Sequence, residues 1–410
     1  MSIRLRTWTT NGVEHKAWQV SYTDANGKRQ RPQFKLKKDA EAFLARAKTQ
    51  VMDGTHIAPG DSITVEEAGK LWITAKQRAG REQATIDQYK QHVELHIVPF
   101  IGAMKLPDLS PPRLSRFEDD LIEAGRSSAM VRKVMVSLGS IIANAQKRGH
   151  VHRNVVRDMR GLNGGSDARA EKRAKAKLRV GVDIPSPEEV KAILGALQGR
   201  WRPLLMTAIF TGLRASELRG LRWDDVDLAA MQIHVRQRAD RYNAIGRPKS
   251  EAGDRDVPIP APLVNVLREW RLVCPKKDTG KRDANGEPVK ALELVFPNGQ
   301  GKVESLGNII NRGLAPTQLR AGVTVDTARV DEEGKPILGP KYGGMHALRH
   351  FNASWLINPP AAGGLGLSPK EVQERLGHSS IVITMNTYSH LFPKHDAGDE
   401  MSAAAAALLG

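Results

Sequence analysis

One cysteine, Cys274, stands in the whole 410-residue chain, which excludes an intramolecular disulfide and a cluster of thiolate ligands for a metal. Histidines are more plentiful, yet His346 and His350, four apart in HALRH, have no third ligand at a recognisable spacing, and no metal site is expected. No apolar run approaches the roughly 20 residues that span a bilayer, and the opening MSIRLRTWTTNG lacks the apolar core of a secretory signal. The expectation is a cytoplasmic protein with no membrane partner. Acidic residues are scarce beside basic ones, 45 against 62, which leaves a formal charge of +17 and a pI near 10.0. That excess points to a polyanionic partner, nucleic acid before a membrane surface, because each phosphate neutralised by Lys or Arg releases counterions.

A hydrophobic content of 40% and this length suit two or three domains, each with its own core. Residues 1–57 read as a small sheet plus helix. Trp18, Val20 and Tyr22 alternate, Asn26-Gly27 signals a hairpin turn, Phe34 and Leu36 resume the pattern, and KKDAEAFLARAKTQV repeats its apolar residues with helical period. Lys28, Arg29, Arg31 and Lys35 crowd that hairpin, either as a ribbon for a DNA groove or as a solvated basic face. Residues 62–160 read as all-helical. Ile86, Tyr89, Val93 and Ile97 form one apolar stripe, and Leu114, Phe117, Leu121 and Ile122 form another. In MVRKVMVSLGSIIANAQKRG the buried face leaves Arg132 and Lys133 to solvent or phosphate.

Residues 161–183 lose apolar periodicity and carry Lys172, Arg173 and Lys175, as a basic linker lying along DNA would. From 184 to 395 the pattern is mixed and mainly helical. It opens on a capping box of Ser186 and Glu189 with Pro187 in the first turn, and MQIHV and DRDVPI read as short strands. VTVDTARVDEEGKPILGPKY reads as an extra hairpin, and 396–410 as an Ala-rich helix former. No internal repeat is present. The expected fold class is α+β, mainly α with small β-sheets, in several domains.

The C-terminal half holds the residues that metal-free phosphodiester chemistry needs: a nucleophile, cations for the nonbridging oxygens, and an acid for the departing oxygen. Tyr388, in LGHSSIVITMNTYSHLF, is the candidate nucleophile, since a phenol attacks phosphorus once oriented and deprotonated. A tyrosine taken alone is more often a core ring. Arg214 and Arg349 suit a phosphate clamp because guanidinium is planar, permanently charged and bidentate. Glu217, one turn after Arg214, either pairs with it at the surface or holds it in one rotamer for the phosphate. His346 shares a helical surface with Arg349 and can exchange protons near neutral pH. His378 precedes Ser379 and Ser380, candidate caps of the helix leading to Tyr388. Lys249 sits on a polar turn from which an ammonium can reach a leaving oxygen, although most lysines in such turns are only solvated.

In their order these boxes resemble the catalytic domain of the tyrosine recombinase, or phage integrase, family. TGLRASELRGLRWDDVDL is similar to the family's first arginine box, HALRHFNASWL to its His-x-x-Arg box, and LGHSSIVITMNTYSHL to its histidine-to-tyrosine box. The likeness runs from 184 to about 395, and the two preceding modules resemble the family's arm-type and helical core-binding domains. Departures are the loop INPPAAGGLGLSP, the hairpin around Asp331 to Lys335, and Phe351 where the family often has a small residue.

The resemblance implies a site-specific recombinase in which Tyr388 forms a 3′-phosphotyrosyl link and frees a 5′ hydroxyl. Arg214 and Arg349 would bind the nonbridging oxygens, Lys249 would protonate the 5′ oxygen, and His346 and His378 would assist with protons and hydrogen bonds. No metal or nucleotide cofactor is implied. The implied partners are attachment sites in double-stranded DNA and further copies of the chain, as a homotetramer whose tail passes to a neighbour. Proteins that bend DNA or favour excision are further candidates. Three other readings compete: a recombinase confined to resolution or inversion, a regulator that keeps the fold without the reaction, and a type IB topoisomerase-like swivelase.

Overall fold

The computed structural model describes residues 1–24, 27–53, 62–163, 177–393 and 397–409. The chain divides into two compact units, Met1–Ala174 and Lys175–Gly410.

The first unit opens with a hairpin of β1 (Ser2–Thr10) and β2 (Val13–Thr23), antiparallel from Ser2↔Ser21 to Thr10↔Val13. Asn11 and Gly12 make the turn with φ of 50° and 78°, the left-handed pair that suits the twist of a two-residue hairpin. The other edge of β2 pairs with β3 (Arg29–Gln30) and β4 (Gln33–Phe34). Helix α1 (Lys37–Met52) closes a small core in which Val20, Tyr22, Ala40 and Ala47 are buried. The alternation at Trp18, Val20 and Tyr22 is therefore a strand. Its longest partner, β1, is absent from the expected sheet, although Asn11-Gly12 carries the same turn signal as Asn26-Gly27. Asn26 lies outside the described residues.

The remainder of this unit is helical: α2 (Val65–Arg78), α3 (Gln83–Gln91), α4 (Pro111–Glu123), α5 (Ser128–Lys147) and α6 (Val155–Asn163). Trp72, Ile86, Val93, Ile97, Leu114, Phe117 and Leu138 share its core. Ile122 departs from the expected stripe and is 54% exposed, because the adjacent Leu121 takes the inward position. Helix α3 widens into a π-helical turn at His92–Ile97 just before Pro99. A proline has no N–H for the carbonyl four residues back and its ring crowds that carbonyl, and the wider turn relieves both faults.

At the two ends of the stretch read as a linker, α6 reaches Asn163, and Val180 forms a β-bridge to Ile184 within the second unit. The Leu178 carbonyl lies 2.7 Å from Nε2 of His390.

The second unit begins with α7 (Pro187–Gly195), opened by the expected Ser186–Glu189 capping box, followed by α8 (Trp201–Thr211) and α9 (Ala215–Gly220). Five short strands follow: β5 (Val226–Asp227), β6 (Gln232–Val235), β7 (Arg238–Ala239), β8 (Ile245–Gly246) and β9 (Arg255–Pro258). Strands β5, β6 and β9 form an antiparallel sheet in that order, and β7 pairs with β8. After α10 (Ala261–Val273) come a hairpin of β10 (Lys277–Arg282) and β11 (Pro288–Ala291), and then α11 (Ala315–Arg320). The expected second hairpin is β12 (Thr324–Val330) with β13 (Pro336–Pro340). Helices α12 (His346–Ile357), α13 (Pro369–Leu376), α14 (Ile381–Tyr388) and α15 (Ala397–Leu409) complete the chain.

The main core joins Leu204, Leu205 and Ile209 of α8 to Ile233 and Val257 of the sheet, Leu263 and Leu267 of α10, and Leu348 of α12. A second cluster, Ala353, Leu356, Ile357, Val372, Leu376 and Tyr388, ties α12, α13 and α14 together. The fold is mainly α with small antiparallel sheets. Among the described residues no helix is long and apolar enough to cross a membrane.

Candidate active site

Gly212 ends α8 in the left-handed conformation, φ 61°, and a Cβ there would lie 2.5 Å from Oδ1 of Asn352 on α12. Glycine thus permits both the turn and the close approach of α8 to α12. The turn sets Arg214 at the N-cap of α9, and the Gly212 carbonyl accepts a hydrogen bond from Nη1 of Arg349 at 2.6 Å.

A second left-handed glycine, Gly377, ends α13 at φ 65°. Three arginines from separate elements donate to backbone carbonyls at this helix end: Arg349 to Leu376 (2.6 Å), Arg214 to Gly377 (2.9 Å) and Arg255 to Arg375 (2.8 Å). Carbonyls left over at a helix C-terminus attract cations, and here they fix where each guanidinium stands.

Glu217 joins two of those arginines. Its Oε1 accepts from Nη1 of Arg214 at 2.7 Å, and its Oε2 accepts from Nη2 of Arg255 at 3.0 Å. Burial pushes its carboxyl pKa up, but the charges and hydrogen bonds of Arg255 and Arg214 outweigh this and hold it below the usual range. The carboxylate is ionised, 2% exposed and shared, so it orients Arg214 rather than making a surface pair.

His346 and His350 lie on one face of α12, their rings 4.6 Å apart and edge to face. Nδ1 of His350 is 2.7 Å from the hydroxyl of Tyr388 at the end of α14. His378 stacks parallel to Tyr388 at 6.4 Å, with Nδ1 on Oγ1 of Thr384 at 2.9 Å, and Ser380 caps α14 by accepting from the Val382 N–H. Burial raises the Tyr388 pKa to about 12, with Arg349 pulling the other way, so the phenol is protonated. Burial first, then neighbouring positive charge, lowers His378 to about 3 and His350 to about 4, and His346 shifts the same way. All three imidazoles are neutral at pH 7.

A cleft of about 420 Å³ is lined by Arg214, Lys249, His346, Arg349, His378 and Tyr388, so the six residues picked as catalytic candidates from the sequence converge on one surface. Lys249 reaches it from the loop between β8 and β9. A larger groove, about 870 Å³, lies beside Asp224, His234 and Arg268 and contains none of them. Lys28, Arg29, Arg31, Lys35, Arg132 and Lys133 are exposed on the first unit; Lys172, Arg173 and Lys175 lie outside the described residues.

Two residues of the site escaped the sequence reading. Arg255 is 9% exposed on a strand where alternate residues are buried, so a charged residue in phase with Val257 was a usable signal. His350, weighed only as a metal partner of His346, has the i, i+4 spacing that places both on one helical face.

The description "Phage integrase family" matches residues 186–395, just over half of the chain and all of the boxes above. A "Tyrosine recombinase XerC-like" protein of Caldanaerobacter subterraneus subsp. tengcongensis is 28% identical over 94% of this chain and 95% of its own length. An integrase of Streptomyces ambofaciens is 27% identical over 89% of this chain and 86% of its own. Among solved structures, the Tn1549 transposon integrase in complex with transposon right end DNA has a TM-score of 0.61 at 20% identity, covering 84% of this chain and 100% of that one. A lambda integrase tetramer bound to a Holliday junction has a TM-score of 0.50 at 16% identity, covering 91% and 95%. The structural likenesses speak for the fold. Together with the family match across every box that lines the cleft, they lead to one conclusion: this chain belongs to the phage integrase family of tyrosine recombinases.

Proposed function

We propose that the protein is a site-specific recombinase of the integrase type, cleaving and rejoining DNA through a 3′-phosphotyrosyl intermediate to move a mobile element into or out of a chromosome. The observation that carries this reading is the convergence of a buried tyrosine hydroxyl, two anchored guanidiniums, three neutral imidazoles and a lysine on one cleft. Tyr388 attacks the scissile phosphorus. Arg214 and Arg349, with orientation set by backbone carbonyls and Glu217, meet the nonbridging oxygens with their remaining N–H donors and need little reorganisation as charge develops. Lys249 gives its proton to the 5′ oxygen as that bond breaks. His346 and His378 hydrogen-bond the phosphate and shape the proton balance. The phosphotyrosyl ester conserves the bond energy, and a 5′ hydroxyl reverses the steps.

In this reading residues 1–57 contact arm-type sites through Lys28, Arg29, Arg31 and Lys35. Residues 62–160 grip the core site with Arg132 and Lys133, and the basic stretch 161–183, with Lys172, Arg173 and Lys175, follows the backbone of the duplex. Residues 184–395 are catalytic, and the tail 396–410 engages a neighbouring copy in a tetramer on paired attachment sites, all in the cytoplasm. Integration rather than resolution or inversion is favoured by the basic hairpin module at the N-terminus, for which simpler recombination has less use.

The test is mass spectrometry of the Tyr388 peptide after incubation with nicked duplex from the DNA flanking the gene, with Tyr388→Phe alongside. A nucleotide adduct on Tyr388, absent from the variant, supports covalent cleavage. Tight, specific DNA binding with no adduct on any nicked strand supports a non-catalytic regulator instead.

A further inference from the structure

A phenol that attacks phosphorus must give up its proton, and Tyr388 is protonated in the resting site. His350 stands next to Arg349 on α12 and one helical turn beyond His346, so the helix aims it into the cleft. Its Nδ1 is 2.7 Å from the Tyr388 hydroxyl, within the range of a direct proton transfer, with the two rings edge to face at 5.7 Å. The other histidines are placed for different work: His378 lies parallel to the tyrosine ring with Nδ1 on Thr384, and His346 packs its ring against His350.

Resting on the recombinase reading, we propose that His350 is a catalytic residue, the base that takes the Tyr388 proton during strand cleavage and returns it during ligation. In cleavage, the bond from Oη to phosphorus forms as the bond from phosphorus to the 5′ oxygen breaks. The phenolic proton passes to Nδ1 of His350, and Lys249 supplies the proton that the 5′ oxygen takes up. In ligation the 5′ hydroxyl gives its proton to Lys249, and the departing phenolate recovers one from His350. No other reactant is needed.

The charges around His350 fit this role. Burial, His346 and Arg349 keep the imidazole neutral while Asp183 pulls the other way, and in the tautomer with its proton on Nε2 the Nδ1 lone pair accepts from the Tyr388 hydroxyl. A bound phosphodiester brings negative charge to Arg349, offsets its repulsion of an imidazolium and makes the base stronger only when substrate is present.

The test is single-turnover formation of the Tyr388 adduct by the full chain on the nicked duplex described above. The same duplex is also made with a 5′-bridging sulfur at the scissile position, whose thiolate leaves without an acid. His350→Asn keeps a hydrogen-bond acceptor near the hydroxyl and takes no proton; His350→Ala removes both. Both variants are expected to cleave about 10²- to 10⁴-fold more slowly with unchanged DNA affinity. The sulfur duplex is expected not to rescue them while it does rescue Lys249→Ala, and their rates should climb with hydroxide concentration more steeply than the wild-type rate. His350→Asn cleaving within about threefold of wild type would reduce His350 to a positioning contact and overturn the proposal. Rescue of the His350 variants by the sulfur duplex would also overturn it, by moving His350 to the leaving-group side. A wild-type chain that makes no adduct overturns the recombinase reading itself.

Discussion

Arg255 and Glu217 form an ion pair at 3.0 Å with side chains 7% and 2% exposed, which makes a buried pair the hinge between the strand β9 and the first arginine box. Losing one partner of such a pair leaves an uncompensated buried charge. Glu217→Ala is expected to destabilise the second unit by about 3–5 kcal/mol, and Glu217→Gln by less because it keeps the shape and one hydrogen bond. Denaturant midpoints of the two variants check this; equal and small shifts would show the pair to be dispensable.

Gly377→Ala places a methyl 2.7 Å from Nη1 of Arg255 and 2.8 Å from the Ala252 carbonyl oxygen, at φ 65° where alanine is disfavoured. The helix end that fixes Arg214, Arg255 and Arg349 has to move. Adduct formation is expected to drop about 10²-fold, because small misplacements of catalytic groups are costly, while the backbone strain alone is about 1–2 kcal/mol. Parallel measurement of cleavage rate and thermal midpoint separates the two effects.

Acid should weaken the second unit in a defined window. His378 and His350 have folded pKa values of about 3 and about 4, both below the ordinary 6.5 because burial and positive neighbours oppose protonation. An unfolded chain takes up protons at these sites once the pH drops below about 6.5, while the folded chain does not. The contribution is therefore flat above about 6.5 and is lost as pH falls from there toward the folded values. Denaturant midpoints at a series of pH values check the sign, and a midpoint that rises on acidification refutes it.

Cys274 is 4% exposed, and burial raises its thiol pKa, so it is expected to ignore a thiol reagent in the native state. As the only cysteine it reports on the second unit alone. Its labelling rate should follow the global unfolding of that unit in denaturant; rapid labelling in buffer would contradict the packing around α10.

Binding to duplex should be strongly salt-dependent. Contact with six to ten phosphates implies an affinity loss of about 10³- to 10⁵-fold between about 50 and 200 mM salt. A binding isotherm series in salt reads the slope directly, and a flat response removes the case for the basic surfaces.

Local spacing in the chain already contained much of this protein. The capping box at Ser186–Glu189, the hairpin at 324–340, the helix carrying His346 and Arg349, and the Arg214–Glu217 pair all depend on residues a few positions apart. Such contacts follow from helical and strand geometry, which is why the amino-acid order is enough to find them. Other features were decided by tertiary folding. Glu217 meets Arg255, and His350 meets Tyr388, each across 38 positions, and Arg214 reaches the Gly377 carbonyl across 163. No periodicity encodes distances of that kind. They exist because the apolar faces of α8, α12, α13 and the small sheet pack in one arrangement, with Gly212 and Gly377 supplying turns that residues with a Cβ resist. The side chains that line the cleft could be named as candidates from the order of residues, but the groups that hold them still, and the imidazole beside the tyrosine hydroxyl, became visible only once those faces met.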